Sequence, residues 1–156
     1  MTLLARLSAL LAILSTGIVY GTDAFCALVL RSALARVDDA TLTATMGNVH
    51  RFADRRMPAP GILGIVAALA ASVLAAAAGH PAESATAGAA FLLLLVWVLL
   101  YLRISAPINR RLTAAADAHE TPANARILQR DWDRIIVPRA GLQGLAVLAL
   151  GASLIS

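Results

Sequence analysis

The stretch Leu128–Gln143, LQRDWDRIIVPRAGLQ, runs from a charged helical surface into an apolar segment with no loop between the two. With each residue set about 100° further round a helix, Leu128, Trp132, Ile135, Arg139 and Gln143 fall on one narrow stripe, while Arg130, Asp133 and Arg134 fall elsewhere. Arg139 therefore shares the inward face with Trp132 just where the chain is about to pass into lipid. An arginine so placed must meet an acceptor or water, because an unpaired charge in an apolar medium is strongly disfavoured. The question posed by the sequence is which side chain that arginine meets.

The rest of the chain fits a membrane setting. Apolar residues make up 60% of the 156, and the mean hydropathy is +0.78, above the roughly half that soluble domains carry. The length suits a single domain of about four bilayer-crossing helices. All 13 basic residues are arginine and the isoelectric point is near 10.6. They alternate with Asp and Glu beside apolar runs, so membrane topology accounts for them and no nucleic-acid partner is expected. Cys26 is the single cysteine and sits among apolar neighbours. It excludes an internal disulfide and a cysteine metal cluster, and reads as a small buried hydrophobe.

Membrane runs are expected at about 7–30, 61–79, 85–102 and 138–155, with more polar head segments at about 31–57 and 107–137. The start of the first run has the look of a signal peptide, with Arg6 ahead of a leucine-rich core and small residues near Ser15–Gly17. Apolar residues resume at Ala24, so an uncleaved spanning helix is expected instead. Gly17 and Gly21 stand four apart, a spacing that lets helices approach in lipid and could serve a homo-oligomer. Asp38 and Asp39 suit a helix N-terminus, and Thr41–Met57 is amphipathic, with Leu42, Met46, Val49, Ala53 and Met57 on its apolar stripe and His50 among them. Pro58 and Pro60 mark a break, Gly79-His80-Pro81 a turn, and Thr121 and Pro122 the cap and first position of the last helix.

Gly21, Pro58, Pro107 and Pro138 each fall where an apolar run meets a charged extension, once per helix. The expected fold is an all-α, up-down-up-down four-helix membrane bundle whose helices extend into a short polar head. Twelve of the thirteen arginines lie on the head side, against Arg6 on the other. The positive-inside rule then makes this a multi-pass cell-membrane protein with a cytoplasmic head.

Two constellations carry possible chemistry. His50 and Asp54 are one helical turn apart, so the carboxylate could orient the imidazole. The pair could also contribute to a metal site, which needs further ligands from Asp23, Asp131, Asp133 or His119, or it could be a surface pair with Arg51 reaching Asp54. Asp23 interrupts the first apolar run at a depth comparable to Arg139, which makes a buried Asp23–Arg139 pair the sparest solution. That pair is either purely structural or part of a polar pocket at the membrane boundary, lined by Tyr20, Asp23, His50, Tyr101, Asn109, Trp132 and Arg139 and able to hold an amphipathic molecule. Tyr101 and Trp132 read equally well as interfacial anchors, whereas Trp97 lies deeper. No Gly-rich phosphate loop, HExxH, nucleophile elbow or CxxC occurs.

The segment Ala106-Pro107-Ile108-Asn109, followed by Arg110 and Leu112, together with Trp132 and with Arg139 seven residues further on, resembles the DUF1772 family, which includes anthrone oxygenase-like proteins. The resemblance extends to the Gly17 and Gly21 region and to the four apolar runs. Where family members often carry an Asn between the Trp and the Arg, this chain has Ile136. What the resemblance implies is a small integral membrane protein, in some members tied to oxidation of polycyclic aromatic phenols such as anthrones to quinones in natural-product pathways, with no cofactor firmly named. Such a reaction needs mainly a base and a positive group near the developing oxyanion. His50, oriented by Asp54, could be the base, Arg139 and Asn109 could hold the oxyanion, and Trp132 and Tyr101 could flank a planar ring, with Tyr20 and Asp23 completing the substrate pocket. The alternative is a non-catalytic membrane protein that binds a lipophilic ligand or a partner helix.

Overall fold

The computed structural model describes residues 2–155, and every regular element among them is helical. Helix α1, Leu3–Phe25, continues through a wide π-helical turn, Cys26–Leu30, into the short α2, Arg31–Leu34. After a turn come α3, Asp39–Arg56, and α4, Pro58–Ala77. Helix α5, Pro81–Leu100, passes through a second wide turn, Tyr101–Ser105, into α6, Ala106–Asp117, and α7 spans Ala125–Ile155. The fold is the expected all-α one. Four helical stretches, Leu3–Leu34, Pro58–Ala77, Pro81–Asp117 and Ala125–Ile155, are long and apolar enough to cross a membrane. This is a multi-pass arrangement in which α3 lies between the first two passes, while short connections follow the second and the third.

Local chemistry explains most of the boundaries. Asp38 caps α3 by accepting from the Thr41 amide at 2.7 Å, a bond that also holds its carboxyl below the usual range. Pro58 opens α4, where its missing N–H has no helical partner to lose. Gly79 ends that pass with a φ of +75°, the left-handed conformation that a glycine adopts without strain. Pro107 has no N–H for the carbonyl of Arg103, four residues back, and the wide turn Tyr101–Ser105 contains that carbonyl. The Thr121–Pro122 start expected for the last helix is displaced: α7 begins at Ala125, because the Asn124 carbonyl accepts from the amides of Ile127 and Leu128, both at 3.0 Å.

Two compact units share these four passes. One comprises residues 2–21, Pro58–Val98 and 141–155; the other comprises Thr22–Met57 and Leu99–Ala140. The divisions fall close to Gly21, Pro58 and Pro138, each near a junction of an apolar run with a charged extension, and α1 and α7 continue through Gly21 and Pro138. In the first unit the core is small: Ala9, Ala12, Ala67, Ala68, Ala71, Ala87, Ala90, Leu94, Ala146 and Leu150 cluster at its centre. Large side chains point outward, with Leu92 61% and Leu148 70% exposed. Alanine inside and leucine outside is the polarity of helices that pack closely while facing lipid. Gly64 belongs to the same pattern, since a Cβ there would lie 2.7 Å from Thr16 Oγ1. Gly17 and Gly21 do not: among the described residues, no atom beyond their own helix turn lies within 4 Å of a Cβ at either.

In the second unit the core is bulkier, built from Leu34, Leu42, Met46, Leu112, Leu128, Trp132 and Ile136 with smaller neighbours. Helix α3 buries Leu42, Thr43, Met46, Gly47 and His50, a stripe rotated from the expected one, with Val49 and Ala53 only half-buried. Gly47 is the reason: it brings α3 against α6 so closely that a Cβ would meet Ala116 Cβ and lie 2.6 Å from the Leu112 carbonyl oxygen. Arg126 of α7 clasps the turn before α3 by donating to the carbonyls of Leu34, at 2.9 Å, and Val37, and to Asp39 at 2.6 Å. Gly47→Ala is expected to lower stability by about 1–3 kcal/mol through forced separation of α3 and α6, whereas Gly17→Ala should leave it unchanged within about 0.5 kcal/mol. Thermal unfolding of the detergent-solubilised protein, followed by circular dichroism, measures both.

Candidate functional site

The second unit holds a continuous polar network. Its anchor is Arg139 on α7, 5% exposed, whose Nη2 lies 2.9 and 3.2 Å from the two carboxylate oxygens of Asp23, itself 6% exposed. Nη1 of Arg139 donates to Ser105 Oγ at 2.8 Å. The guanidinium also lies 5.3 Å from the centre of the Tyr101 ring, within the reach of a cation–π contact. The wide turn Tyr101–Ser105 brings both its first and its last residue to the arginine.

From Tyr101 the network runs on to α3. The Tyr101 hydroxyl donates to Asp54 Oδ1 at 2.8 Å, and the same oxygen accepts from Asn109 Nδ2 at 2.9 Å. Asn109 Oδ1 in turn accepts from the Trp132 indole N–H at 3.0 Å. The Trp132 ring packs at 54° to the His50 imidazole, with centroids 5.3 Å apart. Five helical segments thus supply seven of the eight residues expected at a site: Asp23, His50, Asp54, Tyr101, Asn109, Trp132 and Arg139. Tyr20 is not among them. It belongs to the first unit, 37% exposed, with its ring 3.3 Å from where a Cβ of Gly144 would stand.

Partners differ from the expected ones in two places. Asp54 serves Tyr101 and Asn109, and no hydrogen bond joins it to His50 among the described residues. Arg51 does not reach Asp54; it pairs with Asp117 and donates to Asn48 at 3.2 Å. Asn109 and the terminal nitrogens of Arg139 are already committed to internal partners, so they position their neighbours more than they present open donors. Ser105 was not foreseen, because a serine in an apolar run has no helical periodicity of its own to mark it. Its one signal is its place just before the Ala106-Pro107 step, where the helix opens.

His50 is the exception to this mutual pairing. It is 2% exposed and its Nε2 is buried with no hydrogen-bond partner among the described residues. Burial, helped by the positive charge of Arg139, pushes its pKa down from 6.5 to about 3, so the ring is uncharged at neutral pH. A buried, neutral imidazole can accept from a hydroxyl or hydrogen-bond a carbonyl. No three His, Cys, Asp or Glu side chains gather as a metal-binding group among the described residues, so Asp131, Asp133 and His119 do not join His50. Beside the network a pocket of about 300 Å³ is lined by His50, Asp54, Arg55, Arg110, Thr113 and neighbouring side chains.

No protein-family model, curated protein or solved structure matches this chain.

Two outcomes test the energetics. Arg139→Leu leaves Asp23 buried without its cation and is expected to cost about 3–5 kcal/mol; adding Asp23→Asn should recover part of that loss, as read from unfolding midpoints in detergent. An unfolded imidazole takes up a proton near 6.5, whereas folded His50 does so only at about 3. Between these values the unfolded chain holds the extra proton, so stability is complete above about 6.5 and falls as the pH drops toward 3. His50→Gln should flatten this fall in a series of melting curves.

Proposed function

We propose that this protein is a multi-pass membrane oxidoreductase acting on a lipophilic aromatic of the phenol or anthrone type, with its polar head on the cytoplasmic side. The observation that carries this reading is the buried, uncharged His50, whose Nε2 has no hydrogen-bond partner among the described residues, beside a network whose other members are bound to one another. Asn109, Trp132 and Arg139, the residues on which the resemblance to the anthrone oxygenase-like proteins rests, are parts of that same network.

In this reading an anthrone lies with its ring near Trp132 and gives up a methylene proton to His50. The resulting anion reduces dioxygen, one oxygen atom becoming the new carbonyl of the quinone and the other leaving as water. The charge of Arg139 that lowers the His50 pKa also favours an oxyanion held next to it. An imidazole with so low a pKa is a weak base, so proton removal depends on that field. Asn109 orients Trp132 and Asp54, and Asp54 holds Tyr101. The commitment of Asn109 and Arg139 to internal partners favours a second reading, in which the protein binds such an aromatic without transforming it.

Purified protein in mild detergent, incubated with a hydroxylated anthrone in air, is expected to consume oxygen and form quinone faster than buffer alone. His50→Ala should slow turnover by about 100-fold while leaving the helical circular dichroism intact. Turnover no faster than in buffer, or equal in wild type and His50→Ala, would sink the catalytic reading; saturable binding without turnover would favour the second.

A further inference from the structure

The pocket beside the network has a charge pattern that the proposed oxidation does not use. It lies on the α3 and α6 surfaces and is lined by His50, Arg51, Asp54, Arg55, Arg110, Thr113, Ala114 and Asp117. Each of its two carboxylates has one oxygen engaged by a neighbour: Asp117 Oδ1 pairs with Arg51, and Asp54 Oδ1 accepts from Tyr101 and Asn109. The Thr113 hydroxyl donates to the Gly47 carbonyl at 3.3 Å, which leaves it no proton for a ligand. The open donors of the pocket are therefore the guanidinium groups of Arg55 and Arg110, neither of which has an ion-pair or hydrogen-bond partner among the described residues. Two arginines lining one pocket suit the oxygens of a phosphate or carboxylate, which a guanidinium can grip in a bidentate way.

We infer that this pocket is a binding site for a monoanionic phosphate or carboxylate group, held between Arg55 and Arg110. A volume of about 300 Å³ accommodates such a group together with the first carbons attached to it. Both arginines also stand close in sequence to apolar passes: Arg55 comes three residues before Pro58, where α4 begins, and Arg110 follows the apolar run that ends at Leu102. A lipid headgroup and a free small anion present the same chemistry to these side chains. The site does not depend on the oxidation proposed above, which can fail without affecting it.

The test is direct binding to the protein in a neutral detergent, by scintillation proximity with radiolabelled inorganic phosphate, phosphatidylglycerol and phosphatidylcholine. The anionic lipid, the phosphate or both should bind at least tenfold more tightly than the zwitterionic lipid, and raised salt should weaken them. Phosphatidylglycerol alone identifies a headgroup site; phosphate competing with it identifies a site for small anions as well. Arg55→Gln with Arg110→Gln should weaken binding at least tenfold, while Arg36→Gln with Arg130→Gln, an equal loss of charge outside the pocket, should not. Equal affinity for all three probes, no binding of either anion, or the same loss in both double variants would overturn the site.

Discussion

A pair of opposite charges shut away from water, Asp23 and Arg139, is the constraint on which the second unit depends. Each ion is about 95% covered, and the loss of hydration on burying them is offset only if both ions are fully paired and further hydrogen-bonded. That requirement reaches well beyond the pair. Ser105 must present its hydroxyl to Nη1, Tyr101 must offer its ring face to the guanidinium, and both stand on a turn that the helix has widened. With Tyr101 held there, its hydroxyl meets Asp54, and Asp54 then fixes Asn109 and, through it, Trp132. One electrostatic demand thus propagates through contacts to the imidazole of His50.

The two units meet different physical demands with different residues. Where large apolar side chains face outward, close packing is achieved with alanine and glycine, and hydrogen bonds such as Ser72 to the Ser84 carbonyl at 2.9 Å tie neighbouring helices. Where polar groups must be buried, the surroundings are leucine, methionine, isoleucine and tryptophan, large enough to keep water away from the charges. Burying the imidazole among them keeps it neutral. A neutral nitrogen next to a fixed positive charge is able to interact with an aromatic hydroxyl or carbonyl, and the proposed chemistry rests on that feature.

Much of this was legible from residue patterns. The charged-to-apolar transition at Leu128–Gln143 placed Arg139 and Trp132 on one face, and the depth of Asp23 in an apolar run pointed to their pairing. The helical class, the breakers at Pro58 and Pro107 and the cap at Asp38 follow from local rules that operate over a few residues. Patterns were silent about Gly47, because a glycine in an amphipathic helix looks the same whether it faces solvent or a neighbouring backbone. They were equally silent about Ser105 and Arg126, whose partners lie 34 and about 90 residues away.

By itself, then, the amino-acid order determined four apolar helical passes and the set of polar side chains that apolar surroundings would force together, since hydrophobic burial and the cost of an isolated charge are properties of the residues alone. Beyond the Asp23–Arg139 pair, only the tertiary structure decided who pairs with whom. It sent Asp54 to Tyr101 and Asn109 instead of to His50, kept Tyr20 out of the network, and turned α3 so that Thr43 and Gly47 face inward. Those choices depend on how closely two helix backbones approach and on where a turn widens, and neither distance is encoded in any single stretch of the chain.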